Sequence, residues 1–222
     1  MTPCTQLKHR VCQFVQESCS NRDASHSYDH SQRVFNLSLE IFNHIPSSSF
    51  SSSQSEVLNL ITLVALLHDV ADHKYDDTIS QRQLLQSFLA SLNVSVDLII
   101  AIIDSISYSN EKKQLSKGIN VRRLLRDNYG SDVLLVRDIV SDADKIDALG
   151  VTGLDRCIEF TRVMSPNATE REVAEHVEKH ANNKLISLKD WTRTVYGRVL
   201  AEKATLEFNN ALNEYLGGFK SN

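Results

Sequence analysis

From Val57 to Leu67 the chain reads Val-Leu-Asn-Leu-Ile-Thr-Leu-Val-Ala-Leu-Leu and runs without a break into His68 and Asp69. A helix drawn through this run is apolar on nearly every side, which marks it as a buried central helix. An adjacent imidazole and carboxylate at the end of such a cylinder need compensation. An unpaired buried charge costs several kcal/mol or shifts its pKa. A metal ion would satisfy both groups. Neighbouring helical side chains point about 100° apart, so the ion would lie off the helix end between them. Asp72, three residues past Asp69, shares that face if the helix continues. A local cap or salt bridge is the plainer explanation, and the His-Asp pair alone favours it.

The rest of the chain reads as more helices. Of 222 residues only 7 are Gly and 3 are Pro, too few for a turn-rich β-sandwich or barrel, and 41% are hydrophobic, enough for a packed core. Leu7, Val11, Phe14 and Val15 recur at helical spacing. A second helix begins near Tyr28 and continues through Val34, Leu37, Ile41 and Ile45. Asp76, Asp77 or Thr78 can cap a helix ending near Leu92, and Val96 to Ser107 is a dense apolar helix. Asp132 to Leu149 and Leu154 to Val163 follow, parted near Gly150 and Gly153. Thr169 and Glu172 form a capping-box pattern, and a last helix from Arg193 to Leu216 ends at Gly217-Gly218. Residues 46–55, seven of them serine, read as a flexible surface loop. The expected architecture is one all-α domain of eight or more helices.

Composition also narrows the function. The net charge of −4 gives no sign of a nucleic-acid binder. No apolar run approaches the ~18 residues of a membrane span, and the first residues lack the apolar core of a signal peptide. Cys4, Cys12, Cys19 and Cys157 form no Cys-x-x-Cys pair and read as free thiols, so the expected location is the cytoplasm. The oligomeric state is not legible.

Two further segments raise the odds of a metal site. Tyr28-Asp29-His30-Ser31-Gln32-Arg33-Val34 opens the second helix with a polar, His-bearing turn. Ser141 to Gly150 places Asp142, Asp144 and Asp147 in a helix that is otherwise apolar inward. Asp144 and Asp147 share a face, and Asp142 lies roughly opposite Asp144.

The order His30, then His68-Asp69, then Asp144 resembles the H…HD…D pattern of the HD-domain superfamily of metal-dependent phosphohydrolases. It is most similar to small bacterial stand-alone HD hydrolases, some of which split nucleoside triphosphates into monophosphate and pyrophosphate. Tyr28 to Val34, Ala65 to Tyr75, Ile139 to Gly153 and, more weakly, His180 to Asp190 carry the resemblance. It covers about residues 25–215 and implies a single HD-type helical bundle spanning 1–222. The Ser-rich stretch reads as an insertion, and Asn183 stands where similar sequences often carry an acid.

The resemblance implies that His30, His68, Asp69 and Asp144 are the metal ligands, with Asp142 the alternative to Asp144. It puts Asp72 at the nucleophilic water. Lys74 and Lys145 are its phosphate contacts, with Arg33 nearby; Asp77 is assigned either to the substrate or to the cap of the following helix, and His180 to the substrate. His26 is a candidate partner for His30. Two imidazoles and two carboxylates suit a divalent transition metal, Mn²⁺ first, with Fe²⁺, Co²⁺, Ni²⁺ or Zn²⁺ as the others. The expected reaction is hydrolysis of a small phosphorylated substrate, a (deoxy)nucleoside triphosphate above all. Two other classes remain: an HD-type di-iron oxygenase, needing Asp72, His73 and His26 for a second metal, and a non-catalytic nucleotide-binding protein.

Overall fold

The structure, a computed structural model, describes residues 3–18, 28–71 and 78–220. His26, Asp72, His73, Lys74, Asp76 and Asp77, together with Cys19, lie outside the described residues. Among the described residues there are eleven α-helices and no strands. In chain order they are α1 (Pro3–Ser18), α2 (Tyr28–Asn43), α3 (Gln54–Leu67), α4 (Thr78–Ser91), α5 (Val96–Ile106), α6 (Tyr108–Leu115), α7 (Val121–Tyr129), α8 (Ser131–Asp147), α9 (Gly150–Met164), α10 (Glu170–Asn183) and α11 (Val195–Lys220). Short 3₁₀ helices cover Ser47–Ser49 and Leu185–Trp191.

The apolar run of α3 does what its pattern requires. Val57, Ile61 and every residue from Leu63 to Leu67 are buried. Each Val, Leu or Ile among them withdrawn from water contributes about 1.5–3 kcal/mol before entropy is set against it. α8 lies at the centre and packs on α2, α3, α5, α7 and α11. One apolar cluster joins α1, α2, α3, α5 and the inner face of α8, and the Phe14 ring stacks on Phe88 of α4 at 4.0 Å. A second cluster joins α9, α10 and α11 around Leu154, Val177 and Phe208.

Several boundaries differ from the sequence expectation, each for a visible reason. The Ser-rich stretch is not a free loop. Backbone N–H groups of Ser51 and Ser52 donate to Asp132 at the start of α8 (2.7–3.1 Å). Ser53 and Glu56 then form a capping box, so Gln54 and Ser55 already belong to α3. The capping box expected at Thr169 and Glu172 is present. Gly217-Gly218 does not end the last helix. Phe219 packs on Tyr215, and its carbonyl accepts from Arg171 at 3.1 Å, so tertiary contacts carry α11 to Lys220. Gly150 marks the break after α8 with φ +76°, whereas Gly153 lies inside α9, where a Cβ would sit 2.3 Å from the Ala148 carbonyl oxygen. Asn110 to Leu115, between two of the expected helices, belong to α6.

Candidate metal centre

α3 ends at Leu67, and His68 takes the C-cap position with helical backbone angles. Its Nδ1 lies 2.9 Å from the Ala65 carbonyl oxygen. A carbonyl only accepts, so Nδ1 carries the proton and Nε2 presents a lone pair. His30, in the first turn of α2, is fixed in the same sense: its Nδ1 lies 2.8 Å from Asp147 Oδ2. Both imidazoles are buried, and their Nε2 atoms face each other at 3.2 Å.

The carboxylates of Asp69 and Asp144 complete the group. His30 Nε2 is 3.4 Å from Asp69 Oδ2 and 3.5 Å from Asp144 Oδ1. His68 Nε2 is 3.7 Å from Asp69 Oδ1 and 3.7 Å from Asp144 Oδ1. Ligand atoms of His30, His68 and Asp69 all lie within 4.8 Å of one another. Neighbouring ligand positions around an ion with bonds of about 2.1 Å are about 3 Å apart. Two lone-pair nitrogens and two carboxylates at 3.2–3.7 Å thus have the donor types and spacing with which His30, His68, Asp69 and Asp144 could hold a divalent metal ion. The Asp144 side chain is 30% exposed and that of Asp69 19%, so the cluster opens to solvent on the carboxylate side.

The electrostatics show how strongly this point attracts positive charge. Burial opposes a charged His30, but Asp144, Asp147 and Asp69 outweigh it and push the imidazole up to about 10. Burial likewise opposes ionised Asp69 and Asp144, yet the two imidazoles hold both carboxyls well below the usual range.

The three carboxylates of α8 have separate tasks. Asp142, the alternative ligand, turns away. It is fully buried and accepts from the backbone N–H groups of Arg193 (2.8 Å) and Thr194 (2.7 Å) and from the Thr194 hydroxyl (2.8 Å). It thereby anchors the two residues that precede α11, and Thr194 caps that helix itself: the Gly197 N–H donates to its hydroxyl at 3.0 Å. Asp147 is the residue whose role sequence reasoning missed. Besides orienting His30, it pairs with Arg33 (2.7 Å) and with Arg156 of α9. Its spacing, three residues past Asp144 on a shared face, was the available signal.

Other sequence-read residues are placed less simply. Arg33 is engaged by Asp147. Lys145 is buried, with its ammonium on the Ser141 carbonyl oxygen (3.1 Å) and hydroxyl, and burial holds its pKa down at about 8. His180 is exposed on α10, which packs on α9, α11 and the Leu185–Trp191 segment. Cys12 is partly buried and Cys157 buried, and both are free thiols.

No protein-family model matches the chain. It is 24% identical over 194 residues to the uncharacterized protein YpgQ of Bacillus subtilis, covering 86% of this chain and 82% of YpgQ. The crystal structure of YpgQ in complex with ADP superposes with a TM-score of 0.65 at 20% identity, over 96% of this chain and 95% of that one. A Lactobacillus plantarum structure gives a TM-score of 0.70 at 22% identity over the whole of both chains. An HD-superfamily hydrolase from Bacillus thuringiensis gives 0.60 at 20% identity, over 99% of this chain and 100% of that one. Among the described residues, no helix is long and apolar enough to cross a membrane.

Proposed function

We propose that this chain, whose fold is the all-α bundle of HD-type proteins, is a metal-dependent phosphohydrolase of nucleotides. Its reaction is conversion of a (deoxy)nucleoside triphosphate to the monophosphate and pyrophosphate, and its metal is Mn²⁺. The observation that carries this reading is the convergence of His30, His68, Asp69 and Asp144 with both Nε2 lone pairs aimed at one point. The ADP bound to YpgQ in its crystal structure supports a nucleotide as the ligand class.

A divalent metal at this point supplies the positive charge that polarises a phosphoryl group and acidifies water. The chain's own groups do the rest. Asp147 and the Ala65 carbonyl keep both histidines in the ligating tautomer. Asp72 takes the proton of the attacking water as general base. Lys74 neutralises phosphate charge. Lys145 acts as a fixed positive charge one residue from Asp144, held by Ser141, and Arg33 acts in the same way through its pairing with Asp147. Asp77 and His180 contact the substrate.

The test is product analysis by ion-exchange chromatography after incubation with Mn²⁺ and a nucleotide panel. Monophosphate plus pyrophosphate is the expected result. Nucleoside with triphosphate or phosphate would overturn the bond assignment, and no turnover of any nucleotide would overturn the reaction.

A further inference from the structure

α9 reaches the metal centre through one side chain. The corner from α8 is tight: Leu149 is extended, Gly150 takes φ +76°, and Gly153 lies against the Ala148 carbonyl. A Cβ at Gly153 would clash there, so glycine lets the first turn of α9 fold back on the end of α8. Arg156, one turn further on, thereby returns to Asp147. Its Nη1 donates to Asp147 Oδ2, the oxygen that accepts from His30 Nδ1, and lies 3.5 Å from the Asp147 carbonyl oxygen. The Arg156 side chain is 17% exposed and that of Asp147 4%, so the pair is shielded from water.

Geometry alone does not require this second guanidinium. Arg33 already holds both oxygens of Asp147, with Nε on Oδ1 at 2.7 Å and Nη2 on Oδ2 at 3.2 Å. A planar fork on both oxygens fixes the plane of a carboxylate. Arg33 stands three residues past His30 on α2, so the same grip keeps the carboxylate in register with the imidazole. What Arg156 adds is charge. Arg33 and Asp147 sum to zero, and with Arg156 the three groups sum to +1, one hydrogen bond behind a ligating nitrogen. That charge acts on a cation at His30 Nε2 in two ways of the same sign. It repels the cation directly, with little water between to screen it. It also draws the Asp147 carboxylate away from the His30 proton, which makes the imidazole a poorer donor to a metal. An anion beside that cation feels the opposite pull.

We propose that Arg156 acts on the metal centre through Asp147 and sets its charge, holding metal affinity down and anion affinity up. The assignment rests on the four-ligand centre proposed above, but its metal titration needs no nucleotide. The plainer role is a brace between α8 and α9 that caps the Asp147 carbonyl. A brace predicts the reverse for the metal, because a looser Asp147 orients His30 less well. The test is calorimetric titration of chelator-treated protein with Mn²⁺ and with Zn²⁺, then of the metal-loaded protein with inorganic pyrophosphate. Arg156→Gln and Arg156→Met remove the charge, the first keeping a hydrogen-bond donor, while Arg156→Lys keeps the charge and loses the planar fork. In both neutral variants the metal should bind about tenfold more tightly and pyrophosphate about tenfold more weakly. Arg156→Lys should stay close to wild type on both. Weaker or unchanged metal binding in the neutral variants would overturn the assignment. So would metal and anion shifting in the same direction, or Arg156→Lys behaving like Arg156→Gln. Loss of the fold in both neutral variants would make Arg156 a brace and overturn it too. Wild-type protein that takes up neither ion would defeat the metal centre and the assignment with it. The expected metal shifts without nucleotide turnover would support the assignment and defeat the proposed reaction.

Discussion

Asp147 Oδ2 lies 2.8 Å from His30 Nδ1, joining the last turn of α8 to the first turn of α2 across a sequence separation of 117 residues. The bond leaves His30 Nε2 as the lone-pair nitrogen, and Arg33 and Arg156 hold the carboxylate in place. Asp147→Asn should therefore weaken metal binding by about 10–100-fold, the usual cost of losing a carboxylate behind a ligating histidine. Metal competition against a fluorescent chelator reads this directly. Unchanged affinity would mean that His30 is oriented by something else.

His68→Ala and Asp69→Ala should each abolish hydrolysis and lower bound metal in the purified protein. Elemental analysis beside the chromatographic assay checks both. Full activity in either variant would sink the metal assignment.

Asp142→Ala and Asp144→Ala should separate cleanly. Removing Asp142 strands the N–H groups of Arg193 and Thr194, at a cost of about 2–4 kcal/mol in unfolding free energy. Removing Asp144 should cost metal and activity with little loss of stability in the metal-free protein. Denaturant titration with metal analysis gives both readings.

The pH dependence follows from the same cluster. In the metal-free fold His30 is pushed up to about 10 from its ordinary 6.5, so at pH 7 it holds a proton that an incoming metal must displace. Metal affinity should rise with pH between 6 and 9, with protons released to buffer. Calorimetry in buffers of different ionisation enthalpy counts them. In the metal-free protein the stability from charged His30 is fully present below pH 6.5 and is lost as pH rises through about 10. Chelated protein should therefore lose thermal stability in alkali.

Helix patterning carried most of the fold, because α3 and α5 are dense apolar runs of helical length and Thr169–Glu172 is a complete local signal. It failed where distant groups decided the outcome. Asp132 organises the serines from another helix, and Phe219 draws α11 through two glycines. α6 and α7 stayed hidden because they are short and their outer faces are polar. The same division holds at the site. The order of His30, His68, Asp69 and Asp144 was legible, since each stands beside recognisable neighbours. That Asp147 serves His30 depends on α2 meeting α8, and burial of Lys145 against Ser141 depends on how α8 is enclosed.

α8 meets three obligations at fixed intervals: Asp142 to the start of α11, Asp144 to the two histidines, and Asp147 to His30 and two arginines. One extra residue within Asp142–Asp147 would turn the later carboxylates by about 100° relative to the earlier one. No single rotation of the helix could then serve all three. The segment should tolerate exchange of its apolar residues in related chains while admitting no insertion or deletion, so its length, more than its spelling, is the quantity that selection would hold constant.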